Sequence, residues 1–372
     1  MLVVRRPVPV YIGALLVIGL TMTVIGPALT ELRDRTGSSI GAIGSLFVAS
    51  SVGFLSGSVL GGRLYDRLHG HRLLASGLVL LGLGVLTIPH ARSLVVLFAI
   101  FVVIGVAGAI VEVGSNTLVM WQRDADVGRS MNLLHFAFGV GALITPVLTR
   151  VGLSVITTVG AFAAGVVALA ALTTPVPTMP AVAREEQTGS TKRLLVICST
   201  FFVLYVGLEV GFAGWILTYA EEIDFSERNA TLVTSVFWAV FMAGRLLSAM
   251  VVNRVRPKVV MIASSILMVA AAIVLAVGAG AAPAVWIGTA MMGLAAAPQF
   301  PVMLAYLERR MHLTGSDNSW FVGAAGLGGL VFPFVTGQVV DTVGVGSYPW
   351  VVLVMSVATV GAFAKVNRTF GG

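Results

Sequence analysis

Two carboxylates lie deep within apolar runs of this chain, and they are the residues best placed to do chemistry. Glu112 opens the stretch EVGSNTLVMW, with Asn116 four residues on and so on the same helical face, while Gly105 and Gly108 leave room beside it. A carboxylate over an amide can hold a pair of hydroxyl groups or exchange a proton. Glu209 opens EVGFAGWILTYA, and its face includes Tyr205 and Phe212. An aromatic beside an acid suits a polar ring that needs both stacking and a hydrogen bond. The other reading of Glu209 is a protonated acid bonding a neighbouring helix.

Further polar residues follow the same logic. Asn132, His135 and Gly139 form one stripe, and His135 is the histidine farthest from any predicted loop. It reads either as an interhelical hydrogen bond or as a substrate or proton contact. Gln299 stands between Pro298 and Pro301, which should break the hydrogen-bond ladder and free carbonyls beside a substrate-contacting amide. Trp215 is the aromatic chosen to stack on a ring; Trp121, Trp286 and Trp350 lie at predicted span ends and read as interfacial anchors. For Arg245, snorkelling toward an interface is the favoured reading over a clamp for a substrate carboxylate.

The elements that must position these residues follow from composition. Of 372 residues, 57% are hydrophobic and 10% charged, against roughly a quarter charged in a soluble domain. Taking about 20 apolar residues per bilayer crossing, helices are predicted at 8–31, 38–62, 73–90, 93–121, 129–149, 152–173, 194–220, 229–252, 258–280, 283–307, 318–340 and 348–365. The first run has no small-residue cleavage site and reads as a span rather than a signal peptide. A carboxylate inside such a span is costly unless protonated, paired or wet, so Glu112 and Glu209 mark an ion or substrate path. Cys198 is the sole cysteine, which excludes a disulfide framework and a cysteine metal pair. The net charge of +7 is dispersed among short connectors, unlike the concentrated basic face of a nucleic-acid reader.

Connector charge sets the expected orientation. With the amino terminus inside, Arg63, Arg67, Arg72, Arg254, Lys258 and Arg309 fall with most of the other basic residues on the cytoplasmic side, so both termini should be cytoplasmic. The one long connector, PVPTMPAVAREEQTGSTKR at 175–193, divides six helices from six. A shift of 187 positions carries Gly57 onto Gly244, Arg67 onto Arg254, Gly139 onto Gly326, Gly141 onto Gly328 and Pro146 onto Pro333. Two copies that both start on the cytoplasmic side make a parallel repeat, whose halves can rock around a central cavity in alternating access.

The fragment GGRLYDRLHGHRLL now becomes readable. Its Gly62, Asp66, Arg67, Gly70 and Arg72 resemble the loop signature of the major facilitator superfamily, with Leu68 and His69 standing where one residue is usual. The resemblance implies an all-α membrane protein of the major facilitator fold, with six-helix bundles at 1–174 and 194–372 and a cytoplasmic linker at 175–193. It also implies a conformational latch. Asp66 is expected at the positive amino end of helix 11, near Asn318, and Arg72 is expected to pair with Asp124 or Asp126. The bland alternative is that the loop cations only enforce orientation.

The stretches around Glu112, His135 and Glu209, with FPVMLAYLERR and SWFVGAAGLGGLVFPFVTGQ, resemble the fucose-permease and sodium-dependent-glucose-transporter branch. That implies a sugar-like cargo driven by a proton or sodium, with Glu112 as the coupling acid. The acid this branch carries on helix 1 is absent from GLTMTVIG at 19–26, and Glu209 is its expected replacement.

The expected function is therefore ion-coupled symport of a sugar or similar small polar metabolite by a monomer in the inner (plasma) membrane. Asn116, Asn132, His135, Glu209, Trp215 and Gln299 would contact the substrate, and Glu112 and Glu209 would couple the ion. No cofactor is implied. With no phosphate-cradling loop and no nucleophile–base or metal pair in evidence, neither an ATP-driven pump nor an enzyme is expected. The alternatives are a proton-coupled antiporter exporting drugs or other amphipathic compounds, and a transporter-like sensor.

Overall fold

A computed structural model describes residues 7–122, 127–177, 192–252, 254–278 and 280–370. Among them are twelve helices long and apolar enough to cross a membrane. They are α1 (Val8–Leu29), α2 (Ser45–Tyr65), α3 (Gly70–His90), α4 (Leu94–Met120), α5 (Val127–Val151), α6 (Leu153–Leu172), α7 (Lys192–Glu222), α8 (Glu227–Val251), α9 (Pro257–Val277), α10 (Ala282–Met311), α11 (Gly315–Val343) and α12 (Val345–Phe370). No strand occurs among the described residues. The protein is an all-α, multi-pass membrane protein.

Local chemistry sets several boundaries. Proline opens α9 at Pro257, where its missing N–H costs nothing, and Ser226 caps α8 by accepting from the Asn229 amide at 3.3 Å. Two spans are interrupted. α1 is helical over Val8–Met22 and breaks at Thr23 and Val24, and the helix that follows, Ile25–Thr36, completes the span and runs past its end. Carbonyls near that break are served by hydroxyls: Thr23 donates to Gly19 at 2.7 Å, and Thr145 of α5 to Leu20 at 3.1 Å. α10 is helical over Ala282–Ala296 and again over Gln299–Met311, the interruption that Pro298 and Pro301 predict.

The helices gather into two compact units. In the first, α2 packs along α4, α1 along α5 and α3 along α6. The α2–α4 approach is set by glycine: a Cβ at Gly53 would collide with the Val102 carbonyl, and one at Gly105 with the Ser50 carbonyl. Small residues let helix backbones meet closely where no hydrophobic effect drives them together. In the second unit α10 packs on α8 and α9, and α7 on α12. Stacked rings of Phe201 and Tyr205 and the tilted pair Phe212 and Phe237 fill its interior.

The division differs in one respect from a cut at the central connector, because residues His312–Gly323 cluster with the first unit. Hydrogen bonds hold them there. The Trp121 indole donates to the Leu313 carbonyl at 3.2 Å, and Asn318 Nδ2 donates to the Val113 carbonyl and Thr117 Oγ1, each at 3.0 Å.

Candidate functional site

The loop fragment is positioned by the end of α2 and the start of α3. Asp66 follows the last residue of α2, and its carboxylate reaches the first turn of α11. Oδ1 accepts from the Gly315 amide at 2.6 Å; Oδ2 accepts from the Ser316 amide at 2.9 Å and from Ser316 Oγ at 2.5 Å. A carboxylate here satisfies otherwise unbonded N–H groups and faces the positive end of the helix dipole. The contact falls at Gly315 and Ser316 rather than at Asn318, which is spent on α4. Gly62 makes it possible, since a Cβ there would strike the Ser319 side chain and stand 2.5 Å from the Gly315 carbonyl. Gly70 is buried at the start of α3, where a Cβ would lie 2.6 Å from Leu118. Arg67 and Arg72 are exposed. Asp124 and Asp126 lie outside the described residues.

Two residues near this loop are placed differently from the sequence reading. Trp121, expected as an interfacial anchor, is buried beneath the Leu313 carbonyl, because α4 ends against the segment that precedes α11. His71, which the alternative reading of the fragment counts with Arg67, His69 and Arg72 as an orienting cation, is buried at 1% exposure. Its Nε2 pairs with the Tyr11 hydroxyl at 2.8 Å and its Nδ1 with the Thr174 carbonyl at 2.9 Å, so it ties α1 and α3 to the segment after α6. No local signal pointed to this, because both partners are distant in the chain.

Deeper in the first unit, Glu112 is half-buried on α4 and Asn116 is fully buried one turn on. Neither polar atom of the Asn116 side chain has a hydrogen-bond partner. On α5, Asn132 donates from Nδ2 to the Gly128 carbonyl at 2.9 Å while its Oδ1 is unpartnered, and His135 is buried one turn along. Leaving a buried amide unbonded costs about 1–3 kcal/mol. Asn116 is wholly such an amide and Asn132 is so at its oxygen, and a polar ligand would repay both.

The second unit holds a separate polar cluster. The Tyr205 hydroxyl bonds the Glu209 carboxylate one turn away on α7 and also reaches the Ala296 carbonyl beside the α10 break, at 2.9 Å. One hydroxyl carries one hydrogen. Either it is shared, or Glu209 carries a proton and donates to the tyrosine oxygen while the tyrosine donates to Ala296. Arg245 of α8 acts electrostatically on both Glu209 and Tyr205. It does not snorkel: it is 5% exposed and lies 4.5 Å over the Phe241 ring. The sequence reading failed because distance from a helix end does not reveal which face is covered.

Gln299 begins the second segment of α10, fully buried, with Nε2 donating to Ser264 Oγ of α9 at 3.2 Å and Oε1 unpartnered. The 187-residue shift that relates the two copies carries Glu112 onto Gln299, so corresponding positions of α4 and α10 both hold a polar side chain. Trp215 is half-buried, its indole donating to the Pro333 carbonyl at 2.9 Å and its ring lying against Gly337. It braces α7 on α11.

Known proteins share this architecture. The chain is 24% identical to the Sodium-dependent glucose transporter 1A of Mus musculus, over 87% of this chain and 87% of that one. Among solved structures it is similar to FucP, a transporter captured in the outward conformation, with TM-score 0.82, 15% identity and 98% of each chain covered. The proton:xylose symporter XylE superposes with TM-score 0.76 at 17% identity, covering 96% of this chain and 95% of that one. The sodium-dependent glucose transporter and FucP match the fucose-permease and glucose-transporter branch to which the sequence motifs pointed. The Major Facilitator Superfamily model matches residues 11–333 and 195–368, and on that match the chain belongs to this superfamily of membrane transporters.

Proposed function

We propose that the protein is a secondary active symporter that moves a sugar or similar small polar metabolite by alternating access, driven by a proton or sodium gradient. The observation that carries this reading is the Glu112 and Asn116 pair, with an acid one turn from a buried amide whose oxygen and nitrogen both lack partners. Such donors and acceptors suit the hydroxyls of a polar cargo, whereas an exporter of amphipathic compounds needs a broad apolar surface. Two similar proteins, a sodium-dependent glucose transporter and a proton:xylose symporter, support the same cargo class.

In this reading Asn116, Asn132, His135, Glu209, Trp215 and Gln299 contact the cargo, and Glu112 and Glu209 answer the coupling ion. Cargo binding neutralises an acid and so lowers the cost of closing the site in low dielectric. Gly62, Asp66, Arg67, Gly70 and Arg72, with Asp124 and Asp126, form a latch on the cytoplasmic side that is remade in every cycle. The working unit is a monomer in the plasma membrane with both termini cytoplasmic.

The test is reconstitution into liposomes with a panel of labelled sugars under an imposed pH or sodium gradient. Accumulation of a sugar under one gradient is expected. Expulsion of dyes with no sugar accumulation would instead establish export, and binding without net flux would establish a sensor.

A further inference from the structure

Arg245 is a cation inside a membrane span that has donors left over once Tyr205 and Glu209 are counted. Its side chain is 5% exposed, yet Nε and Nη1 have no hydrogen-bond partner. One turn on, and on the same face of α8, the buried Ser248 hydroxyl is also unpartnered. A guanidinium carries five N–H donors in a fixed plane and never gives up its proton at physiological pH. Ionisable residues inside a span are expensive, and those that persist mark a substrate or ion path. Orphaned donors make this one costlier still.

The surroundings hold the group in place and satisfy it only in part. Phe241 lies beneath the guanidinium at 4.5 Å, which fixes its plane by a cation–π contact. From α7, Tyr205 hydrogen-bonds the Arg245 side chain and Glu209 acts on it electrostatically, but the Tyr205 hydroxyl is also engaged with Glu209 and the Ala296 carbonyl, and neither residue reaches Nε or Nη1. A clamped, dehydrated guanidinium with donors to spare matches the planar oxygen pair of a carboxylate. A neutral hydroxyl can accept one of these hydrogens but supplies no charge. For neutral cargo the Asn and Gln amides of the proposed site would suffice without a buried cation.

We propose that Arg245, with Ser248 beside it, is a recognition site for the carboxylate of an acidic sugar, so that the cargo is a polyhydroxylated acid rather than a neutral hexose. This rests on the transport reading above and narrows its substrate class. Phe241 and Tyr205 then offer flat faces beside the charged end, and Glu209 is the acid that must adjust when a second carboxylate approaches its cation.

The experiment uses the full chain in proteoliposomes and compares uptake of labelled D-glucuronate, D-gluconate, D-glucose and the uncharged methyl ester of D-glucuronate. Uptake of at least one acid, at least tenfold above the ester and above glucose, is expected. Arg245→Gln should abolish that preference while Arg245→Lys retains part of it, with elution profile and thermal midpoint in detergent confirming that each variant folds. The wild-type comparison needs no variant. Uptake of glucose or the ester with the acids ignored overturns the anion site and leaves the transport reading standing. Uptake of neither class under any gradient overturns the transport reading, and the anion site falls with it.

Discussion

Asp66 and Ser316, 250 residues apart in the chain, are joined by two hydrogen bonds, with the carboxylate accepting from both the amide and the hydroxyl at the start of α11. Together with the Gly315 amide this makes a three-donor cradle for one negative charge. Asp66→Asn places an NH2 group where one oxygen accepts, so one donor faces another donor. We predict a loss of about 1–3 kcal/mol, read as a lower thermal midpoint in detergent, together with slower turnover in liposomes. Unchanged turnover would remove the contact from the transport cycle.

Gly62→Ala tests the approach that permits this cap. The added carbon meets both the Ser319 side chain and the Gly315 carbonyl, and the second of these is backbone. Gly62→Ala should therefore slow transport, and Ser319→Gly should not rescue it. Recovery in the double variant would show that only the side-chain clash matters.

Asn116→Leu separates binding from folding. It replaces a buried, unpartnered amide by an apolar group of similar size, so the folded protein should be unharmed or stabilised by about 1–3 kcal/mol. Uptake should fall at least tenfold. A variant that is more stable and equally active would show that Asn116 makes no cargo contact.

Glu112→Gln should abolish accumulation driven by an ion gradient yet leave counterflow exchange intact, because the glutamine keeps a polar side chain but cannot change charge. Retained gradient-driven accumulation would take Glu112 out of the coupling role.

Tyr205→Phe removes the hydroxyl shared between Glu209 and the Ala296 carbonyl. We predict a lowered thermal midpoint and an altered dependence of uptake on external pH, since Glu209 loses its hydrogen-bond partner while Arg245 remains. A pH profile identical to wild type would show that Glu209 does not exchange a proton during transport.

Much of the site was visible as residue types and little of it as partners. Glu112 and Asn116 stood out because four-residue spacing on an apolar helix is a local pattern. The interruption of α10 was legible because proline cannot donate to the ladder. Arg245 was misread as a snorkelling cation and Trp121 as an interfacial anchor, since neither position in its own helix reveals what covers it. His71 was hidden for the same reason. Its hydrogen-bond partners, Tyr11 and Thr174, are distant in sequence.

By itself, the sequence determined twelve membrane spans, the repeat at a shift of 187 positions and the loop signature that names the superfamily. Hydrophobic length, connector charge and repeat spacing are properties of the chain alone. Tertiary structure decided that Asp66 caps α11 at Gly315 and Ser316, that residues His312–Gly323 join the first unit, and that the Arg245 guanidinium is sealed from solvent. Burial and hydrogen-bond partnership depend on which remote helix faces meet, and no local spacing encodes that.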